Sequence, residues 1–146
     1  MTNHVDHPQH YNRHPSGIEC IDLIEWMPFN LGNAVKYLWR AGLKSEDAIT
    51  DLRKAKWYAE REQERVIQYG CNDISFRTYF DKVTSSPDKT QDAIAAGFQP
   101  DIAMAFVWIW RAWSIDDALD RVVCLSSASQ CIDNQISQLA GKVRGA

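Results

Sequence analysis

The sequence lacks a long apolar segment, because its most hydrophobic stretch, Ile102–Trp110, is too short to span a bilayer. It also lacks an excess of positive charge: 16 Lys and Arg face 19 Asp and Glu, and the net charge is −3. Proteins that coat nucleic acid usually carry a broad basic surface. We therefore expect no membrane role and no nucleic-acid polymer as partner, whereas a small anion needs only a local cluster of cations.

Closely spaced cysteine pairs are missing as well. Cys20, Cys71, Cys124 and Cys131 form no CxxC motif, and we expect no signal peptide. This pattern predicts reduced thiols in a cytosolic compartment. The glycine-rich loops that cradle phosphates in ATPases and dinucleotide-binding proteins are also absent, since Gly42-Leu43-Lys44-Ser45 is only a fragment of one. A nucleotide site in this chain must be built in another way.

What the sequence does contain is helical periodicity. Residues 1–15 hold two prolines and four histidines without any period, which predicts an extended arm. Because the prolines interrupt a helix and no cysteine joins the histidines, a metal site in the arm is not expected. A short amphipathic helix from Gly17 to Trp26 should follow and end before Pro28.

The next two helices form a predicted αα-hairpin. Asn30 is the expected N-cap of the first helix, and Gly42 is expected to end it in a left-handed turn. Ser45 is expected to cap a long second helix that reaches Tyr69 and is closed by Gly70. Residues 16–70 thus form a first helical unit.

The second half of the chain follows the same order. After a connector, residues 71–90, with a short aromatic helix, come predicted helices over about residues 90–96 and 102–113. Ser114 is expected to cap a last long helix to about Leu139, with a frayed tail at 141–146. Residues 91–140 form this second unit.

The two units resemble each other: Leu38-Trp39-Arg40-Ala41 in the first matches Ile109-Trp110-Arg111-Ala112 in the second. This predicts an all-α helical bundle built from two degenerate copies of a short helix plus an αα-hairpin. The copies differ in polarity, because Val107, Trp108 and Met104 stand where the first copy has polar residues. We expect the first copy to bind a ligand and the second to serve as scaffold or to make a homo-oligomer.

The strongest predicted site is a cluster of cations and polar groups in the first copy. Asn33, Lys36, Tyr37 and Arg40 share one helix face, and Lys44 follows beside the start of the next helix. Arg40 would form a fork for an oxyanion and Lys36 a point charge. The same pattern is also typical of an ordinary solvated helix face.

A second polar face lies on the long helix, where Asp51, Lys54, Tyr58 and Arg61 recur at helical spacing with Trp57 beside them. A base could stack on Trp57 or Tyr58 while polar neighbours contact its edge. The alternative is a set of surface ion pairs on an exposed helix.

Two further groups of residues are candidates for binding. Glu19, Asp22 and Glu25 recur every three residues and, with Asp51, form a weak candidate site for Mg²⁺. The alternative is a polar face with acids near a helix start. In the arm, His7-Pro8-Gln9-His10-Tyr11 could fold over a ligand and add a polar contact.

The ordered motifs resemble a family of phage-encoded nucleotide-kinase-like domains, of the type of the early nucleotide kinase of T-odd coliphages. The resemblance covers about residues 4–65 and rests on four segments: His7–Tyr11 (HPQHY), Ile18–Glu25 (IECIDLIE), Phe29–Gly42 (FNLGNAVKYLWRAG) and Asp51–Tyr58 (DLRKAKWY). The chain from about residue 71 resembles nothing that we can name.

The resemblance implies a phage protein that acts in the host bacterial cytoplasm as an oligomer and transfers a phosphoryl group between deoxynucleotides without a P-loop. Nucleotide-binding candidates are then His7, Tyr11, Asn33, Lys36, Tyr37, Arg40, Lys44, Lys54, Trp57 and Tyr58. His10 or Asp51 would handle the proton, with or without Mg²⁺.

Three functions follow as hypotheses. The first is a non-P-loop (deoxy)nucleoside monophosphate kinase. The second is a non-catalytic protein that sequesters a nucleotide second messenger as an anti-defence device. The third is a Mg²⁺-dependent pyrophosphohydrolase that uses Glu19, Asp22, Glu25 and Asp51.

Overall fold

The computed structural model describes residues 14–43, 47–71, 73–82 and 87–145 of the chain. Within these ranges the regular structure is helical and contains no strand. The helices are α1 (Cys20–Ile24), α2 (Phe29–Leu43), α3 (Ala48–Tyr69), α4 (Ser75–Lys82), α5 (Pro87–Ala96), α6 (Pro100–Ser114) and α7 (Ala118–Arg144). The all-α bundle predicted from periodicity is confirmed.

Two helical hairpins, α2–α3 and α6–α7, pack face to face, with α3 against α7 and α2 against α6. Their inner faces meet in one continuous core that includes the fully buried Leu38, Trp39, Leu52, Phe106 and Leu125. Because each hairpin has one apolar face to cover, the pairing of the two buries both.

The repeated order of elements is visible in this architecture. Each half has a short helix, then a helix of 15 residues, then a long helix. Five buried residues of α2 have buried counterparts at the matching positions of α6. They are Leu31, Ala34, Val35, Leu38 and Trp39 in α2, and Ile102, Ala105, Phe106, Ile109 and Trp110 in α6.

Three predictions about the first hairpin are wrong in detail. Helix α1 is shorter than the predicted segment Gly17–Trp26. Asn30 lies inside α2, because the first helical bond runs from the Gly32 amide to the Pro28 carbonyl. Gly42 also lies inside α2 and makes no left-handed turn. It is needed for close packing, since a Cβ there would lie 2.7 Å from Phe98 Cδ1.

The prediction for the C-terminal end of α3 is confirmed. Helix α3 reaches Tyr69, and Gly70 closes it with a φ of 78°, which favours glycine. The predicted cap, Ser45, lies outside the described residues. The observed N-cap of α3 is Asp47, whose side chain makes no capping hydrogen bond.

In the second hairpin two boundaries differ from the prediction. Ser114 is the last residue of α6, and its hydroxyl donates to the Arg111 carbonyl. The N-cap of α7 is instead Asp117, whose carboxylate accepts the Asp120 amide. Helix α7 continues to Arg144, through most of the predicted tail. None of the helices in the described ranges has the length and apolarity needed to cross a membrane.

Candidate functional site

The outward faces of α2 and α3 bring most of the predicted site residues together. Helix α2 runs antiparallel to α3, so its end lies beside the start of α3 and its start lies beside the second half of α3. The half-buried residues Asn33, Lys36, Tyr37 and Arg40 follow one face of α2. The Asn33 side-chain amide donates to the Phe29 carbonyl at 2.8 Å, which orients that side chain along the helix.

Tyr37 is the centre of a cluster of aromatic rings and cations. Its ring lies parallel to that of Tyr58, with 5.9 Å between centroids and an interplanar angle of 9°. The Lys36 Nζ lies 5.2 Å from the Tyr37 ring centroid, and the Lys54 Nζ lies 5.3 Å from it. Among the described residues, neither lysine forms an ion pair with a carboxylate. Two positive charges from different helices therefore meet at one ring.

Arg40 and Asp51 form an ion pair at the end of α2. The Arg40 Nε lies 3.5 Å from the Asp51 Oδ1, and the Asp51 side chain is only 6% exposed. A buried carboxylate needs a nearby cation, because it has lost its hydration. Both residues thus join the two helices. Their predicted roles, an oxyanion fork and a proton-handling carboxylate, stay predictions.

An open pocket of about 470 Å³ lies beside Tyr58, toward the start of α2. Three exposed aromatic side chains line it: Phe29, Trp57 and Tyr69 are 73%, 59% and 66% exposed. The Tyr58 ring meets Phe29 and Trp57 edge-on, with centroids 5.9 and 5.0 Å apart. Tyr58 therefore borders both the pocket and the Lys36–Lys54 cluster, and the two together are named the groove.

Two arginines line the pocket and differ in how firmly they are held. The Arg65 guanidinium pairs with the fully buried Glu62, which raises the pKa of Arg65. The Arg61 Nη1 lies 3.3 Å from the Glu64 Oε2, and both side chains are mostly exposed. An exposed pair of this kind contributes little stability, so an anionic ligand can compete for Arg61.

Sequence reasoning did not place Phe29, Arg65 or Tyr69 in the site, although all three line this pocket. Phe29 and Arg65 come together only because α2 and α3 are antiparallel. Tyr69 reaches the pocket because α3, with 22 residues, extends past the start of the 15-residue α2. Arg61 carried a usable signal, since it continues the helical spacing of Lys54 and Tyr58.

The weak magnesium site predicted from Glu19, Asp22 and Glu25 is not formed. Glu19 is the N-cap of the five-residue helix α1, and Glu25 is its C-cap. Asp51 is engaged by Arg40. In the described ranges, no three or more His, Cys, Asp or Glu side chains lie close enough together to hold a metal ion.

The arm candidates His7, His10 and Tyr11 lie outside the described residues, as does Lys44. The predicted arm, residues 1–15, nevertheless extends too far along the chain, because His14 is buried in the bundle. Its ring packs against Trp39 and Phe98, with centroids 4.8 and 4.6 Å away. The absence of a side chain at Gly97 leaves room for this ring. Burial lowers the pKa of His14.

Fold and site together define an all-helical bundle with an aromatic and cationic groove on its first hairpin. Residues 5–60 match a family described as a protein of unknown function (DUF3310). This segment carries α1, α2 and the first part of α3, and therefore the Lys36–Lys54 cluster. No curated protein and no solved structure matches the chain.

Proposed function

We propose that the protein binds a nucleotide in the groove between α2 and α3. The observation that carries this proposal is the position of Tyr58, whose ring stacks on Tyr37 beside the two lysines and also lines the aromatic pocket. Stacking of a base on an aromatic side chain contributes about 1–3 kcal/mol. Lysine and arginine bind phosphate through charge-assisted hydrogen bonds. The groove thus offers aromatic rings for the base and cations for the phosphates of a nucleotide.

The first form of this function is phosphoryl transfer by a non-P-loop (deoxy)nucleoside monophosphate kinase. Such transfer depends mainly on positioning and on neutralising the phosphate charge. Lys36 and Lys54, which have no carboxylate partner within the described ranges, supply positive charge for this purpose. The resemblance to phage nucleotide-kinase-like domains supports this form and implies action in the host bacterial cytoplasm.

The second form is capture of a nucleotide without turnover, as in an anti-defence protein. The observation that favours it is the ion pair of Asp51, which is buried and engaged by Arg40. Of the two candidates for proton handling, His10 lies outside the described residues and Asp51 lies within them. Capture needs the same cations and aromatic rings but no general base.

The test combines binding with product analysis. Purified protein is titrated with dTMP, dGMP and ATP by calorimetry, and mixtures of a monophosphate with ATP are then separated by thin-layer chromatography with and without Mg²⁺. Formation of a diphosphate supports the kinase, whereas recovery of unchanged, tightly bound ligand supports capture. Release of pyrophosphate would instead support the pyrophosphohydrolase, and no binding by any nucleotide would refute the proposal.

A further inference from the structure

The groove has two chemically different ends, which lie well apart. Lys36 and Lys54 lie at one end, and the aromatic pocket with Arg61 lies at the other. Lys54 and Arg61 are separated by two turns of α3, which corresponds to about 10 Å along the helix axis. Phe29 and Lys36 are separated by the same distance on α2. A ligand that uses both ends must therefore be long.

The base of such a ligand fits the pocket better than the lysine end. One face of the Tyr37 ring is already covered by Tyr58, so a base could stack between them only if the pair separated. In contrast, Phe29, Trp57 and Tyr69 expose large parts of their rings to the pocket. A base seated there directs its sugar and phosphates along the groove.

The first phosphate of a nucleotide lies next to the sugar, and each further phosphate extends the chain away from the base. Of the two arginines that line the base pocket, Arg61 is held less firmly, since its partner among the described residues is the exposed Glu64. Lys36 and Lys54 lie two turns farther on. The positive charges of Lys36 and Lys54 repel each other, and a negative charge between them reduces this repulsion. The additional negative charge of a polyphosphate is therefore favoured beside the two lysines.

We propose that this groove is selective for nucleoside polyphosphates over monophosphates, with the base in the aromatic pocket, Arg61 near the first phosphate, and Lys36 and Lys54 on the distal phosphates. This inference rests on the proposed nucleotide-binding function. In a kinase the groove is then the site of the phosphate donor. In a capture protein it defines the ligand as a polyphosphate.

The test measures Kd by calorimetry for AMP, ADP and ATP, and for dTMP, dTDP and dTTP, at constant ionic strength. For the wild type we expect Kd to fall by about tenfold or more from mono- to triphosphate, as charge-assisted bonds are added. Lys36→Met and Lys54→Met should remove most of this difference and leave the monophosphate Kd within about twofold. Arg61→Met should weaken all three ligands of a series by a similar factor.

Arg53→Met is the matched control for Lys54→Met. Arg53 is the preceding residue and is also exposed, but it lines a second pocket of about 260 Å³ with Lys56 and Asp133, which shares Trp57 with the aromatic pocket. Its removal should leave all Kd values unchanged. Circular dichroism of each variant confirms that the fold is intact, which we expect because Lys54 and Arg61 are exposed.

The outcomes separate the two proposals. If no nucleotide binds to the wild type, both the function and the selectivity are refuted. If mono-, di- and triphosphates bind equally well, nucleotide binding stands and the polyphosphate inference is overturned. It is also overturned if the lysine variants weaken the monophosphates as much as the triphosphates, because the first phosphate would then lie at the lysines.

Discussion

At the residue scale, His14 is a titratable ring inside the core. It is 3% exposed, and its Nδ1 lies 2.7 Å from the Ser16 hydroxyl oxygen. Burial disfavours the imidazolium form and lowers the pKa, although the Ile94 carbonyl partly offsets this effect. The folded protein therefore prefers neutral His14.

This preference predicts a pH-dependent stability. The unfolded pKa is about 6.5 and the folded pKa is lower, so the unfolded state binds more protons between the two values. The contribution of neutral His14 to the stability of the fold is fully present above pH 6.5 and is lost as the pH falls toward the folded pKa. Urea unfolding of the wild type and of His14→Phe at several pH values checks this. The variant should show a flatter profile below neutral pH, and parallel profiles would contradict the prediction.

Gly42 gives a second prediction at this scale, in which replacing a helical glycine by alanine lowers the stability. Replacing a glycine in a helix by alanine normally stabilises the helix by about 0.5–1 kcal/mol. In Gly42→Ala the new Cβ would meet the Phe98 ring, and such overpacking costs about 1–3 kcal/mol. Gly141→Ala on α7 is the control, because nothing lies within 4 Å of the added Cβ.

Thermal unfolding measures both variants. We expect a lower midpoint for Gly42→Ala and an equal or higher midpoint for Gly141→Ala. Equal stabilisation by both would show that Phe98 moves aside without cost.

At the scale of the elements, the two hairpins have different side-chain contacts at the corner where their two helices meet. In the first, the buried Asp51 of α3 pairs with Arg40 at the end of α2. In the second, the fully buried Arg121 of α7 donates to the carbonyls of Trp113 and Ile115, at 3.4 and 3.0 Å. Each corner places one ionisable side chain on the long helix, and groups at or just after the end of the preceding helix contact it.

Arg121→Met should therefore destabilise the α6–α7 corner, because buried carbonyls lose their donor. Leaving a buried acceptor unsatisfied costs about 1–3 kcal/mol. Urea unfolding gives this difference directly, with the exposed Arg111→Met as a control. If Arg121→Met matched the wild type, the cost of burying the guanidinium would equal the contribution of its bonds.

At the scale of the whole molecule, the continuous core makes the two hairpins interdependent. Phe106 of α6 is fully buried, and its ring lies 6.2 Å from that of Phe98. Phe106→Ala should cost about 3–5 kcal/mol, as expected for a large core truncation. Because the core is shared, the destabilisation should extend to the α2–α3 hairpin.

Hydrogen exchange at each backbone amide tests this coupling. We expect slow-exchanging amides of α2 and α3 to lose protection as much as those of α6 and α7. Loss confined to α6 and α7 would show that the hairpins unfold separately. The predicted homo-oligomer belongs to the same scale and stays a prediction, for which light scattering during gel filtration is the measurement.

Helical periodicity alone identified the major helices of both hairpins and their repeated order. It also placed Lys36 and Tyr37 on one polar face and Lys54 and Tyr58 on another, and the structure brings the four side chains together. Helix ends were less accurate, because Gly42 and Ser114 have their roles through contacts that a local pattern does not contain. His14 was misplaced for the same reason, since its partners come from α2 and from the chain after α5.

The amino-acid sequence by itself determined that this protein is helical, that it consists of two related halves, and that the first half carries the polar face. Only the tertiary structure decided which charges are engaged and where the groove opens. A helical period specifies the face of a residue within its own helix. Distances between helices depend on their antiparallel register and relative lengths, which set Arg40 against Asp51 and place the pocket beyond the start of α2.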